Sequence, residues 1–372
     1  MRLLILSHAS HIEQKVFLFS YAPYVREMNL WLNYVDNVEI IAPKFIGKPN
    51  AIEIAYKHKN IKYSKISAIQ FTSISNILKS IFKLPLILYK IFTACRRADH
   101  IHLRCPGNIG LLGCIVQLFF PRKTKTAKYA GNWDPNAKQP LSYRLQKWIL
   151  SNTTLTKNMQ VLVYGKWENQ TKNIKPFFTA TYSNSEIETI KKRNYNTVLK
   201  FVFVGSLVAG KRPLLAIKII EALQRQGYKV QLDIFGDGVL KNELSNYISV
   251  NNLKSNIIIH GNQPKAVIKT AFKTAHFSIL PSKSEGWPKA IAEAMFFGCI
   301  PIVTKISCVP YMLGYGNRGV LIEPTLIEAT NKIIKNLNNI DQLQAKSEAA
   351  LQWSQQYTLE VFESEIAKIL KQ

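Results

Sequence analysis

His276-Phe-Ser-Ile-Leu-Pro-Ser-Lys-Ser-Glu-Gly-Trp-Pro-Lys-Ala-Ile-Ala-Glu-Ala-Met-Phe-Phe-Gly-Cys-Ile-Pro-Ile-Val-Thr304 is the stretch from which the fold is read. Its first apolar run has strand length and stops at Pro281. A polar loop follows. Pro288, a favoured first helical residue, opens a helix that Gly298 closes, and a second apolar run completes a strand–loop–helix–strand unit. The loop Ser284-Glu-Gly-Trp thus presents backbone N–H groups at a helix start, beyond the carboxyl end of a buried strand. Open α/β sheets bind anionic ligands there, because unpaired N–H donors and the positive end of the helix dipole converge.

Working outward, short apolar runs alternate with longer helical patterns along most of the chain. Strands are expected at 2–7, 38–42, 100–103, 126–129, 160–163, 180–183, 200–204, 229–235, 257–260, 276–280 and 300–304. Nearly continuous apolar runs such as Phe201-Val-Phe-Val suit a parallel sheet covered on both faces, and the alternation makes the fold class α/β. A polar stretch at 185–196 separates two such sets, and 11 of the 17 glycines lie from Gly205 to Gly319. The expected domains are therefore 1–190 and 197–345, with 346–372 a terminal helix packing back toward the first. Five cysteines without a Cys-x-x-Cys pair suggest a reducing compartment and no structural zinc. The longest apolar stretch, 109–120, is too short to span a bilayer, so a soluble or peripheral protein in the cytoplasm is expected.

Two carboxylates frame the quoted helix start. Glu285 lies on the loop and Glu293 inside the helix, where it can accept both hydroxyls of a vicinal diol such as a ribose. Structural roles, a helix-start acid and a solvated one, remain the alternative. Pro281-Ser, Glu285-Gly, Glu293-Ala-Met and Gly298-x-x-Pro301 resemble the Glu-x7-Glu signature of the family-4 retaining glycosyltransferases. The flanking segments agree in order: Phe203-Val-Gly-Ser-Leu-Val-Ala-Gly-Lys-Arg-Pro, Leu232-Asp-Ile-Phe-Gly-Asp-Gly and Ile258-Ile-His-Gly.

The resemblance implies a GT-B fold, two Rossmann-like domains whose parallel sheets face an interdomain cleft. It further implies a nucleotide-diphosphate sugar as donor substrate, transfer with retention, and no cofactor or bound metal. Lys211, with Arg212 beside it, would meet the donor diphosphate. Glu285 would contact the sugar and Glu293 the ribose. Gly286, Trp287, Pro288 and Lys289 would serve the sugar and phosphates, with Gly205 and Ser206 nearby and Gly236 and Gly238 close to the base. The chain departs from the family at Ser206, where Arg is common, and at Trp287-Pro288, where Pro288 removes one N–H donor. It departs again at 7–13 and 128–134, where the family's Gly-Gly loop and acceptor-side His are missing. The acceptor-side candidates are His8, His11, Asn132, Trp133 and Asp134, each of which can equally be loop packing.

The net charge is +26, and residues 51–200 carry 25 basic against 6 acidic residues. Such a field implies an anionic partner: a membrane surface, a glycan or lipid-linked acceptor, or nucleic acid. No nucleic-acid reading motif accompanies the charge, so nucleic acid is not the expected partner. The segment 66–97 mixes Ile74, Ile77, Leu78, Ile81, Phe82, Leu86 and Ile87 with Lys79, Lys83, Lys90, Arg96 and Arg97 at helical spacing. It reads either as a core helix with a solvated lysine face or as a basic amphipathic surface for anionic lipid. The expected function is sugar transfer to a lipid-linked or surface-polysaccharide acceptor. The alternatives are polyanion binding and nucleotide-sugar binding without catalysis.

Overall fold

The computed structural model describes residues 1–50, 52–69 and 74–371; for 74–79 and 81 it describes the backbone alone. The side chains of Ile74, Ile77, Leu78, Lys79 and Ile81 lie outside the described residues. The chain divides into two compact units, Met1–Phe178 with Phe362–Gln372, and Thr179–Val361.

The first unit is built on a seven-stranded parallel sheet. In space the strands run Ile61–Ile66, Asn37–Pro43, Arg2–Leu6, His100–Cys105, Thr124–Tyr129, Met159–Tyr164 and Ile174–Phe177. The order starts at the third strand in sequence, steps back to the first, then jumps to the fourth. That reversal leaves a switch point between Arg2–Leu6 and His100–Cys105. Leu4, Leu6, Ile101, Leu103, Ala127 and Val161 fill the core on one side of the sheet, against Ile87, Ile91 and Cys95 of the helix Ile74–Arg97. A small antiparallel sheet, Ile12–Gln14, Phe17–Tyr21 and Glu53–Ala55, interrupts the regular alternation. It stands where the sequence departs from the family's glycine-rich loop.

The second unit repeats the plan with six parallel strands in the order Ile257–Gly261, Val230–Phe235, Leu199–Val204, Phe277–Leu280, Ile300–Thr304 and Val320–Ile322. Its switch point lies between Leu199–Val204 and Phe277–Leu280. Residues 180–183 form no strand, contrary to expectation. Two of them turn side chains to use elsewhere: Thr181 reaches Glu293, and Tyr182 packs between Phe296 and Phe297.

The polar stretch 185–196, read as a linker, belongs to the second unit. Arg193 explains why. Its guanidinium donates to the carbonyls of Ala275, Gly298, Phe272 and Phe297 at 2.6–3.1 Å and binds the segment to the sheet's helices. The terminal region is likewise two helices, Ile340–Ser354 and Leu359–Leu370, and residues 346–361 lie in the second unit. Ser347, Ser354 and Gln355 donate to the carbonyls of Gly298, Ala292 and Phe296, and so tie the terminal helix to the helix Lys289–Phe296 and the turn that follows it. The chain then re-enters the first unit at Phe362, whose ring packs on Phe177 and Phe178.

Candidate functional site

The switch point of the second unit gathers three loops. After Leu199–Val204 comes Gly205-Ser206, and after Val230–Phe235 comes Gly236-Asp237-Gly238. The two turns touch backbone to backbone: Gly205 N–H donates to Phe235 O at 3.0 Å, and Leu207 N–H to Asp237 O at 2.9 Å. A Cβ on Gly236 would lie 1.9 Å from the Gly205 carbonyl oxygen, so only glycine fits there. The Asp237 carboxylate is taken up by the Gly238 N–H and by Lys241.

Lys211 ends a 3-10 turn, Ala209–Lys211. Arg212 follows in a left-handed conformation, φ 50° and ψ 49°, and Pro213 opens the next helix. For a residue with a side chain that conformation costs on the order of 1–2 kcal/mol. It reverses the chain beside Lys211, so the strain lies at the candidate site itself. The third loop follows Phe277–Leu280 and is tied to the first by Lys283 N–H donating to Gly210 O at 2.8 Å. Across this junction Lys211 Nζ meets Glu285 Oε1 at 2.5 Å, with Glu285 7% and Lys211 30% exposed. Two motifs 74 residues apart in sequence thus form one ion pair in the switch-point crevice.

The loop carrying Glu285 is braced from behind. The Cys308 thiol donates to Gly286 O at 2.8 Å, and Thr304 Oγ1 to Ser282 O at 2.7 Å. Burial, with the nearby Glu285 charge, pushes the Cys308 thiol up to about 12, so it stays protonated and able to donate. Pro288 precedes the helix Lys289–Phe296. The indole of Trp287 is buried, stacked on Trp353 at 6.0 Å and edge-on to Tyr357, while the Arg318 guanidinium lies 4.7 Å above Trp353. Glu293 accepts a 2.7 Å hydrogen bond from the Thr181 hydroxyl, in a recess that Tyr182, Trp287, Lys289 and Phe296 also line. Desolvation raises its pKa; Thr181, Lys289 and Lys265 temper the rise.

The candidates of the first unit fare differently. His8 follows the strand Arg2–Leu6 at the switch point, and its ring lies so close to Gly107 that a Cβ there would meet Nδ1 at 2.7 Å. Desolvation and the Arg104 charge lower its pKa. His11, by contrast, is fully buried. Its Nδ1 pairs with Ala9 O and its Nε2 with the Tyr56 hydroxyl, both at 2.8 Å, and burial lowers its pKa to about 4. It is a core residue and cannot touch an acceptor. Trp133 is corrected in the same way: it packs edge-on to Tyr129 at 4.9 Å and donates its indole N–H to Gln170. The side chains of Asn132 and Asp134 accept from the N–H groups of Asp134 and Asn136, and so shape their own loop.

Three features escaped the sequence. Thr181 was absorbed into an expected strand. The Trp353–Tyr357 pair that holds Trp287 was visible only as terminal-helix apolar spacing. The third is a buried ionic group in which Glu27 pairs with both Arg104 and Lys128, residues 77 and 101 positions away, for which the local sequence holds no signal.

Two parallel Rossmann-like sheets, with paired glycine turns, a lysine and a carboxylate at one switch point, define the fold as GT-B. Residues 184–353 match the family described as glycosyl transferases group 1, and they nearly fill the second unit. The chain is 28% identical over 132 residues to the capsular polysaccharide biosynthesis glycosyltransferase CapH of Staphylococcus aureus, covering 34% of this chain and 36% of CapH. Across five curated relatives the match spans 36% to 66% of their length. Among solved structures, the lipopolysaccharide outer core galactosyltransferase WaaB superposes with a TM-score of 0.71 at 14% identity, covering 100% of this chain and 99% of WaaB. The Anabaena protein Alr3699/HepE, in complex with UDP and glucose, gives 0.67 at 15% identity, covering 100% and 99%.

Proposed function

We propose that the protein is a retaining glycosyltransferase, working without a bound metal, that moves a sugar from a nucleotide-diphosphate sugar to a lipid-linked or surface-polysaccharide acceptor at the cytoplasmic face of a membrane. The observation that carries this reading is the Lys211–Glu285 ion pair at the switch point of the family-matched unit. Support for the donor class comes from HepE, a structural neighbour that holds UDP and glucose, and for the acceptor class from CapH, a relative of capsular polysaccharide biosynthesis.

In this reading Lys211 and Arg212 face the diphosphate and stabilise the negative charge that grows on it as the sugar leaves. Glu285, already hydrogen-bonded to Lys211, lies beside the sugar, and the N–H groups of Gly286, Trp287 and Lys289 serve sugar and phosphate. The bond from the anomeric carbon to the diphosphate oxygen breaks, and a bond to the acceptor oxygen forms on the same face of the sugar. The acceptor's proton passes to the departing phosphate. Glu293 accepts the ribose hydroxyls, a geometry that Thr181 preorganises by fixing one carboxylate oxygen.

A panel of UDP-, GDP- and ADP-sugars, read by thermal shift and by slow donor hydrolysis, tests the proposal. One nucleotide class should raise the melting temperature, and chelator should leave hydrolysis intact. Lys211→Ala should lower hydrolysis about 10²–10³-fold, the usual cost of removing one preorganised charge donor. The reading fails if no nucleotide sugar shifts the melt, or if Lys211→Ala and Glu293→Ala both bind donor as the unaltered chain does.

A further inference from the structure

The helix Ile74–Arg97 is apolar on two faces. Ile87, Ile91, Ala94 and Cys95 bury inward against the first sheet. The outward positions, one helical turn apart, are where a solvated helix carries charge. Here they are Phe82, Leu86, Tyr89 and Phe92, the first three 84%, 60% and 67% exposed. The apolar surface continues beyond the helix. The Phe92 ring meets Phe119 and Phe120 at 6.3 and 5.0 Å, and Phe119 is itself 69% exposed. Lys83, Lys90 and Arg97, seven residues apart, run along one flank.

From Phe120 the chain passes through Pro121-Arg122 into a broad recess at the start of the strands Thr124–Tyr129, Met159–Tyr164 and Ile174–Phe177. Arg122, Lys157, Lys172 and Lys175 line it, and none of its lining residues is acidic. Between Glu53 and Asp134 the sequence has one acidic residue, Asp99, and its carboxylate accepts the Arg2 N–H. Among the described residues no helix is long and apolar enough to cross a membrane. The surface therefore pairs an aromatic strip able to enter an acyl boundary with a basic recess able to hold phosphate headgroups, on one unit and joined through Phe119–Arg122.

We propose that this surface is a membrane-docking site: Phe82, Leu86, Tyr89 and Phe119 insert into the interface of an anionic phospholipid bilayer, while Arg122, Lys157, Lys172 and Lys175 bind its headgroups. The proposal rests on the membrane-face reading above and names the part of the molecule that delivers it. It also predicts a mixed signature, since aromatic insertion resists salt whereas headgroup attraction does not.

All five native cysteines are buried, so Phe82→Cys gives a chain that takes an environment-sensitive dye at one exposed thiol. Val239→Cys, on the second unit, serves as control. Mixed with phosphatidylcholine–phosphatidylglycerol vesicles, the dye at position 82 should shift to the blue and brighten, while the control should not change. In flotation, Phe82→Ser/Tyr89→Ser should weaken binding to these vesicles at least about tenfold. Lys172→Glu/Lys175→Glu should weaken it at low salt and flatten its salt dependence. Thermal shift by the nucleotide sugar, measured on the same variants, should be unaltered, which separates a failure here from failure of the transferase reading. A dye at position 82 that stays water-like, equal binding to pure phosphatidylcholine, or light scattering that shows the strip covered by a second copy of the chain would overturn the proposal.

Discussion

Glu285 faces Lys211 at a distance where the carboxylate must compete with any diphosphate that approaches the same ammonium. Glu285→Gln keeps the volume and removes the charge. It should therefore tighten binding of a nucleoside diphosphate while lowering transfer, a split visible by titration calorimetry beside a kinetic assay. Glu293 titrates above the ordinary glutamate value because burial disfavours its anion. If, as proposed, an ionised Glu293 accepts both ribose hydroxyls, donor affinity should fall with acid at a higher pH than an unperturbed glutamate would give, and Glu293→Gln should abolish that dependence. The sign for stability is the reverse: the folded state holds this proton more tightly, so the contribution declines as pH rises from about 4.5 through the raised value. Arg193 makes four charge-assisted bonds to carbonyls that have few other partners. Arg193→Ala should cost about 2–4 kcal/mol and lower the second unit's melting temperature by about 5–10 °C, measured by calorimetry.

At the scale of elements, the parallel strands were legible because both their faces are buried and their apolar runs are continuous. The glycine turns of the second unit were legible because their glycines answer to backbone contact. Gly236→Ala tests that reason: with Gly205 O in the way and φ at +145°, the turn cannot keep its place. Donor-induced thermal shift should be lost while the first unit's transition is unaltered. What stayed hidden depended on long-range partners. Nothing local in 185–196 says that Arg193 ends on four carbonyls, and nothing near Trp287 says that its ring faces Trp353, 66 positions away. His11 and Trp133 were misplaced because a residue just past a strand end can turn inward as readily as outward, and Tyr56, which follows the strand Glu53–Ala55, supplies the hydroxyl that draws His11 in. Trp353 should accordingly behave as a positioning residue. Trp353→Ala should raise the donor KM several-fold with a smaller change in kcat, and Trp353→Phe should restore most of it.

For the whole molecule, the two units differ in charge and in the number of buried histidines. The first carries 28 basic and 10 acidic residues, net +18; the second carries 21 and 13, net +8. Five of the seven histidines lie in the first unit, and His11 and His100 have pKa values lowered to about 4 by burial, with His102 lowered well below its ordinary value. Below about pH 6.5 an unfolded imidazole takes a proton that the folded one refuses, so stability drops as pH falls from there to about 4, by about 3 kcal/mol for His11 alone. Calorimetry at neutral pH and at pH 5 should show the first unit's transition moving down further than the second's; parallel movement would contradict the assignment. Phe362 has a different consequence, in time. Its ring completes the wall formed by Phe177 and Phe178 and lies 4.8 Å from the Lys128 ammonium, yet it is synthesised 184 residues after Phe178. At translation rates of ~5–20 residues per second, the first unit waits roughly 10–40 s for its last piece while the second emerges and folds. The earlier half of the chain is thus the later to be finished, and a nascent chain stalled in between would display the bare Phe177–Phe178 surface to the cell's chaperones.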